Sequence, residues 1–290
     1  MAANLRSYRP DDAAAMLALS RRVQTREEEQ VGTPLWSSME ELQAELEGLD
    51  RPPEETIRVI EDDGRPAGFG GIEVEDEVVL FGPMVSPRSR GRKVGRTLLA
   101  ASLELAREEG VGHLVASVGV RNVGGRLMLQ RNGFESREGP VAVYRLIPGA
   151  HHPLSEPHAG VTTRIARRDD VEQVLGLCHE CFARSPLSDE AWSRALERGQ
   201  VRVADEHGVP IALVRINPVR RRVFHGVTAA ARERGVGGFV LSEALQQYWE
   251  EHAGEVLHLA APVENVAASR LYRRQGFAPW LVLQPFELEL

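Results

Sequence analysis

The sequence repeats itself over about half its length, and this repeat limits the possible folds more than any other feature. The stretch Arg90–Gly95 recurs as Arg232–Gly237, and Asn122 recurs as Asn265 at almost the same spacing. Two copies of one domain are therefore expected, in residues 1–148 and 161–290. Between them, residues 149–160 are rich in Pro and Gly, have no periodicity and are interpreted as a linker.

Each copy shows the same order of predicted elements. A short strand is followed by helices that open at Asp-Asp pairs, and then by two strands joined at Gly64 or Gly208 as a hairpin. A third β-prone run, a loop, a helix, a strand, a helix and a final strand pair complete each copy. The pattern predicts an α/β (α+β) domain in duplicate.

The loop of the second copy has the composition of an anion site. A β-prone run ends near Val227, the spacing R-x-x-G-x-G-G follows from Arg232, and apolar residues at helical spacing continue to Tyr248. A helix start leaves unsatisfied N–H groups, and glycine lets a ligand approach them, so the loop favours phosphate. The alternative is an ordinary tight turn, since Gly-rich turns are common before helices. The sequence motifs of a P-loop and of a Rossmann dinucleotide site are both absent.

The sequence downstream of this loop supports the phosphate interpretation. A second β-prone run over residues 255–263 leads to Asn265, which is placed to cap a helix, and Gly276 is placed to end it. Arg232-x-x-Gly235-x-Gly237 followed by Asn265, Tyr272 and Gly276-Phe277 resembles the acetyl-CoA site of the GNAT N-acetyltransferases. The resemblance implies two tandem GNAT domains, each a mixed, mostly antiparallel sheet flanked by helices, whose fourth and fifth strands part to admit the pantetheine arm.

The resemblance also assigns roles in the second copy. It implies that the loop binds the pyrophosphate, that the strand ending at Val227 offers backbone groups to the pantetheine and thioester, and that Asn265 binds the pantetheine arm. The loop residues are Arg232, Glu233, Arg234, Gly235, Val236, Gly237 and Gly238. Tyr272 is the expected acid for the departing thiolate, since a phenol has an ordinary pKa near 10. Without the resemblance, Tyr272 would be interpreted as a core aromatic residue.

The general base is less clearly marked. Relatives carry a Glu five residues before the Asn, where this chain has Ala260. His225 lies two residues before Val227 on the same strand face and is the candidate to accept a proton, directly or through water. A packed or surface histidine is the alternative, and Glu264 is a weaker candidate.

The first copy has diverged from the motif. Lys93 stands where the second copy has Gly235, and Leu129, which cannot donate a proton, stands where the second has Tyr272. We expect this copy to be degenerate, able at most to bind CoA. Its candidate contacts are Val85, Arg90, Gly91, Val94, Gly95 and Asn122.

Composition excludes several classes. The net charge of −7 disfavours nucleic acid and anionic membrane surfaces as partners, and neither an apolar run long enough to span a bilayer nor a signal peptide is seen, so a cytoplasmic protein is expected. Cys178 and Cys181 fall inside an apolar-periodic helix and are interpreted as packing residues. No metal is expected, and the histidines at 151, 152 and 158 are interpreted as solvated.

The resemblance therefore implies an acetyl-CoA-dependent N-acetyltransferase acting on a primary amine, with catalysis expected in residues 161–290. The acceptor would approach from the first two helices, where Glu180, Asp189 and Trp192 are candidates to recognise it. The alternatives are a non-catalytic acetyl-CoA binder and a structural pair in which neither copy binds CoA.

Overall fold

The computed structural model describes residues 4–74, 78–137, 139–151, 160–182 and 187–290. The strands are β1 (Asn4–Ser7), β2 (Ile57–Asp62), β3 (Arg65–Val74), β4 (Val78–Val85), β5 (His113–Gly119), β6 (Glu135–Ser136), β7 (Val141–Leu146), β8 (Val161–Ile165), β9 (Val201–Glu206), β10 (Val209–Asn217), β11 (Arg222–Val227), β12 (Leu257–Pro262) and β13 (Ala278–Glu289). The helices are α1 (Ala13–Thr25), α2 (Met39–Gly48), α3 (Pro53–Thr56), α4 (Val94–Glu108), α5 (Val123–Arg131), α6 (Val171–Cys181), α7 (Asp189–Glu197), α8 (Val236–Glu251) and α9 (Val266–Arg274).

The chain forms two compact units. The N-terminal unit comprises Met1–Val141 together with Leu281–Leu290, and the C-terminal unit comprises Ala142–Trp280. Each unit holds a sheet of mixed direction in which most neighbouring strands are antiparallel, with helices packed on it. The predicted fold class is confirmed.

The sheet of the N-terminal unit runs β1-β2-β3-β4-β5, and the C-terminal part of β13 completes it. β4 and β5 are parallel, and the other neighbours in this sheet are antiparallel. β13 pairs along all of β5, from Leu283 opposite Gly119 to Glu289 opposite His113. Phe286 of β13 is fully buried in the core of this unit.

The sheet of the C-terminal unit runs β8-β9-β10-β11-β12-β7, with β11 and β12 parallel. Successive side chains of β10 enter different cores because neighbours on a strand point to opposite faces. Leu213 packs with residues of α6 and α7, and Val214 packs with residues of α8. The core between this face of β10 and α8 also contains Tyr272 of α9.

This division differs from the predicted boundaries in two places. β7 was expected to belong with residues 1–148 but lies beside β12 in the C-terminal unit, and Leu281–Leu290 were expected to belong with residues 161–290 but lie in the N-terminal unit. The two strands are the last of their respective copies, and both have the apolar character of an inner strand. The sequence pattern therefore cannot indicate which sheet each one joins.

The predicted linker lies largely outside the described residues, as do His152 and His158. At its start, Ala150 packs against Gly276, where an added Cβ would come within 1.8 Å of the Ala150 carbonyl oxygen. Gly276 has a φ of 97°, which favours glycine, and it follows the end of α9 as predicted.

Candidate active site

The C-terminal unit contains a gap between two parallel strands. β11 and β12 pair at Arg222 with His258 and at Val223 with Leu259, after which both strands continue but no longer pair with each other. We call the gap between residues 224–227 and 260–262 the C-terminal cleft. Ala260 and Pro262 are exposed along it. A gap of this kind leaves backbone groups of two strand edges available to an extended ligand.

The predicted anion loop lies directly after the parted end of β11. Glu233 and Gly235 both have left-handed backbones, with φ of 62° and 76°, and Gly235 precedes the first residue of α8, Val236. The N–H groups of a first helical turn have no partner within the helix, and the helix dipole makes this end partly positive. The loop geometry therefore fits the predicted binding of a phosphate.

The two arginines of this loop have different surroundings. Arg234 forms an ion pair with Glu206, with the Nη1 to Oε2 distance at 3.1 Å. Arg232 is exposed, and its Nε lies 3.4 Å from the carbonyl oxygen of Val227. Of the two, Arg232 is better placed to meet an anion.

Gly237 lets α8 approach β11 closely. A Cβ at this position would lie 2.9 Å from Cγ2 of Val227 and 3.2 Å from both Cε1 and Nε2 of His225. The contact holds the start of α8 against the parted part of β11. It also brings the anion loop next to His225.

Tyr272 and His225 meet beside this contact. The Tyr272 hydroxyl lies 3.4 Å from Nδ1 of His225, a long hydrogen bond whose donor depends on the tautomer of the imidazole. Tyr272 is 5% exposed, and its ring contacts Tyr144 and Phe277 at centroid distances of 5.7 and 6.0 Å. The ring is thus packed in the core while its hydroxyl faces the parted strand.

Burial sets the protonation of both groups. It raises the pKa of Tyr272 above that of a free phenol, with a smaller contribution from Tyr144. It lowers the pKa of His225 to about 4, against an opposing interaction with the backbone of Gly237. At neutral pH the pair is therefore a protonated phenol beside a neutral imidazole.

Asn265 caps α9, as predicted. Its Oδ1 accepts from the N–H of Ala268 at 3.0 Å, while the side chain remains exposed to solvent at the start of the helix. The amide nitrogen is the atom that remains able to donate to a ligand. Glu264, the weaker candidate base, is exposed beside it.

Residues on the other face of β11 lie where an acceptor was expected to approach. An added Cβ on Gly226 would lie 3.0 Å from Cβ of Cys181 and 3.3 Å from Cε2 of Phe182, so the end of α6 packs on the parted strand. Glu180 accepts from the N–H of Ala229 at 3.3 Å. Burial raises the pKa of the Cys181 thiol to about 11, so it is uncharged at neutral pH.

Two other predicted acceptor contacts differ in accessibility. Trp192 is fully buried and packs against Phe224, with Arg215 over its ring, so its role is in the core. Asp189 is exposed, with its carboxylate 3.8 Å from His179. Glu180 and Asp189 therefore remain the accessible acidic groups among these candidates.

Gln275 was missed by sequence reasoning, although it connects the two helices of the site. It is fully buried, donates from Nε2 to the carbonyl of Gly238 at 2.7 Å and accepts from Ser242 at 3.2 Å. These bonds fix the end of α9, which carries Tyr272, to the first turns of α8. A glutamine near a helix end is usually solvated, so the sequence carried no signal for this role.

The loop of the N-terminal unit has left-handed residues at the same two positions as the anion loop of the C-terminal unit. Gly91 and Lys93 have φ of 74° and 66°, and Lys93 precedes α4 as Gly235 precedes α8. An added Cβ on Gly95 would lie 3.4 Å from Cγ2 of Val85, and Val94 begins α4. The chemistry is not repeated, because Leu129, at the position of Tyr272, is buried and apolar.

Arg90 and Asn122 of this unit are engaged by its own chain. The Arg90 guanidinium lies 2.7 Å from the carboxylate of Glu29. Asn122 accepts from the N–H of Gly125 at 2.8 Å, capping α5, and donates to the carbonyl of Gln30 at 3.0 Å. Both side chains thus contact the segment between α1 and α2.

No helix in the described ranges is long and apolar enough to cross a membrane. The same ranges contain no cluster of three or more His, Cys, Asp or Glu side chains arranged to hold a metal ion.

The chain matches the model of the acetyltransferase (GNAT) family twice, over residues 22–134 and 168–277. It is similar to the crystal structure of a GCN5-related N-acetyltransferase from Sphaerobacter thermophilus, with a TM-score of 0.72 and 20% identity over 99% of this chain and 95% of the other. It is also similar to a tandem GNAT protein from the clavulanic acid biosynthesis pathway, with a TM-score of 0.64 and 16% identity over 99% and 98% of the two chains.

No curated protein matches the sequence. The fold supports transfer of an acyl group from an acyl-CoA donor. Because the two family matches together cover most of the sequence, the chain belongs to the GNAT family and carries its domain in tandem.

Proposed function

We propose that the protein transfers an acetyl group from acetyl-CoA to a primary amine and that the reaction takes place in the C-terminal unit. The observation that carries this proposal is the Tyr272 hydroxyl, which faces His225 at 3.4 Å on the parted part of β11. The anion loop begins five residues after Val227, at the end of the same strand. The stretch from β11 to α8 would therefore hold the diphosphate, and Tyr272 of α9 would meet the same strand as the proton donor.

Binding of acetyl-CoA would use the backbone of this stretch. The N–H groups of Val236, Gly237 and Gly238, together with Arg232, would hold the diphosphate. The pantetheine arm would enter the C-terminal cleft and pair with the free edge of β11, with Asn265 donating from its amide nitrogen. The thioester would then lie beside the Tyr272 hydroxyl.

The chemistry follows from the protonation of the pair. The amine nitrogen attacks the thioester carbon, a tetrahedral oxyanion forms, and its collapse breaks the C–S bond. Tyr272 then protonates the departing thiolate, which a buried phenol can do throughout the physiological pH range because burial keeps it protonated. His225 orients the phenol, and with a pKa near 4 it is a weak base, so the amine proton leaves through water.

A paired substitution tests this proposal in the intact protein. We expect Tyr272→Phe to lower kcat by about 10² with little change in KM for acetyl-CoA, since general acid catalysis contributes factors of this order. Tyr248→Phe is the matched control, because Tyr248 is also buried in the C-terminal unit but its hydroxyl bonds Glu255, away from the cleft. CoA release with a panel of amines is the measurement, and full activity of Tyr272→Phe would contradict the acid role.

A non-catalytic acetyl-CoA binder is the second candidate. The observation that favours it is the packing of the Tyr272 ring, which is 5% exposed among three other rings. In that case acetyl-CoA binds but no amine of the panel releases CoA. Calorimetric binding without turnover would therefore replace the first proposal with this one.

A further inference from the structure

The N-terminal unit has a cleft equivalent to the C-terminal cleft, and it is filled. β4 and β5 pair at Val79 with Val115 and then part. We call the gap between residues 80–85 and 116–119 the N-terminal cleft. A segment of the same unit, Glu29–Thr33, which follows α1, lies in it and runs antiparallel to β5, with Val31 opposite Val118.

Backbone hydrogen bonds fasten this segment to both sides of the cleft. On β5, the N–H of Gly32 donates to the carbonyl of Ser117 at 2.7 Å, and the N–H of Gly119 donates to the carbonyl of Gln30 at 2.9 Å. On β4, the N–H of Gly82 donates to the carbonyl of Thr33 at 3.1 Å. The segment therefore bridges the two parted strands as a short added strand would.

The segment is also closely packed. Each of its non-glycine residues is at most 9% exposed: Glu29, Gln30, Val31 and Thr33. Gly32 leaves no room for a side chain, since a Cβ would lie 2.6 Å from Cβ of Ser117. The corresponding edge of the C-terminal unit differs, because Ala260, which matches Ser117, is exposed.

The side chains of the cleft are engaged as well. The carboxylate of Glu29 lies 2.7 Å from Arg90 and 3.1 Å from Arg22. The hydrogen bond from Arg90 lowers the pKa of this carboxyl, and with the help of Arg22 it outweighs the opposing effect of burial. An anion binding to the side of Arg90 that faces the cleft would compete with a buried carboxylate that is already paired.

We infer that Glu29–Thr33 is a built-in occupant of the N-terminal cleft, so that the chain binds one acetyl-CoA and the N-terminal unit binds none. The inference rests on the proposed function for the identity of the ligand. Three of the groups assigned to acetyl-CoA in the C-terminal unit have counterparts that this segment already uses. Arg90, the counterpart of Arg232, is paired with Glu29. Asn122 bonds Gln30 where Asn265 faces solvent, and Gly82 of β4 bonds Thr33 where β11 leaves its edge toward β12 unpaired.

The first test is stoichiometry in the full chain, measured by calorimetry and native mass spectrometry with acetyl-CoA. We expect one molecule bound per chain, and at least a tenfold loss of affinity with no residual tight site in Gly237→Ala. Two molecules per chain, or unchanged binding in Gly237→Ala, would overturn the inference. If the wild type binds none, the proposed function fails, and the occupied cleft is judged by the second test alone.

The second test is hydrogen exchange and needs no ligand. Gly32→Ala should speed exchange in residues 80–85 and 116–119 at least tenfold, whereas Gly112→Ala should not, because an added Cβ on Gly112 meets nothing within 4 Å. Glu29→Gln, which preserves side-chain shape, should speed exchange of the segment severalfold. It provides the readout if Gly32→Ala fails to fold.

The occupied cleft is refuted if either variant leaves exchange in these residues unchanged. It is also refuted if acetyl-CoA speeds exchange of residues 29–33 in the wild type, because that result means that the ligand displaces the segment. The expected effect of acetyl-CoA is slower exchange in residues 224–240 alone.

Discussion

At the scale of single residues, the candidate site depends on two buried side chains that contact each other. The hydroxyl of Tyr272 on α9 lies 3.4 Å from Nδ1 of His225 on β11. Burial raises the pKa of Tyr272 and lowers the pKa of His225. The shift in His225 falls within an accessible pH range and is therefore testable.

The burial of His225 predicts a pH-dependent stability. An unfolded histidine binds a proton near pH 6.5, whereas folded His225 does so near pH 4, so the folded state binds fewer protons in this window. Its contribution to stability is complete above about pH 6.5 and is lost as the pH falls toward 4, by at most roughly 3 kcal/mol. His258, whose pKa burial lowers to about 3, adds to the same trend.

Urea denaturation between pH 4 and 7 measures this effect. In His225→Asn we expect a shallower loss of stability on acidification than in the wild type. His207→Asn is the control, because the exposed His207 has similar access to solvent in the folded and unfolded chain. Equal slopes for the wild type and His225→Asn would mean that the imidazole is solvated in the folded protein.

Among single residues, the helix cap at Asn265 could be predicted from its position before a helical run, whereas long-range contacts could not be predicted. Tyr272 and His225 were each candidates, but their contact depends on the packing of α9 against β11, which no spacing rule gives. Gln275 gave no signal, since its role depends on the backbone of another helix.

At the scale of elements, the order of strands and helices could be predicted from the sequence. The distances at which they pack against one another could not. The alternation of apolar residues and the hairpin glycines predicted β2–β3 and β9–β10. The loop motif located the start of α8. How near α8 comes to β11 depends on the missing side chain of Gly237, which the resemblance had assigned only to phosphate binding.

Gly237→Ala therefore tests the packing of this helix. The new methyl group would lie 2.9 Å from Val227 and 3.2 Å from the His225 ring, so either α8 or these two side chains must shift, and we expect kcat/KM to fall at least tenfold. Gly176→Ala in α6 is the matched control, because it meets nothing within 4 Å and should stabilise the helix by about 0.5 to 1 kcal/mol. Undiminished activity in Gly237→Ala would show that the close approach is dispensable.

At the scale of the whole molecule, the duplication was predictable and the membership of the terminal strands was not. β7 and β13 end their respective copies in sequence, yet β7 lies in the C-terminal unit and residues 281–290 lie in the N-terminal unit. Cutting the chain between residues 148 and 161 would take from each unit a strand that it needs. Experiments on this protein should therefore use the full chain.

Phe286 provides a test of this arrangement. It is fully buried in the N-terminal core, and we expect Phe286→Ala to cost about 3 to 5 kcal/mol there. Val282→Ala, in the same strand but 40% exposed, should cost under about 1 kcal/mol. Hydrogen exchange should locate the loss in residues 57–119, and a loss confined to residues 142–280 would contradict the arrangement.

The position of residues 281–290 also has a consequence for biosynthesis. Because β5 pairs along its length with the final strand, the first half of the polypeptide leaves the ribosome with an open sheet edge. That edge stays uncovered until residues 283–289 have been synthesised. A stop codon that removes these residues would therefore damage the half of this sequence that was made first.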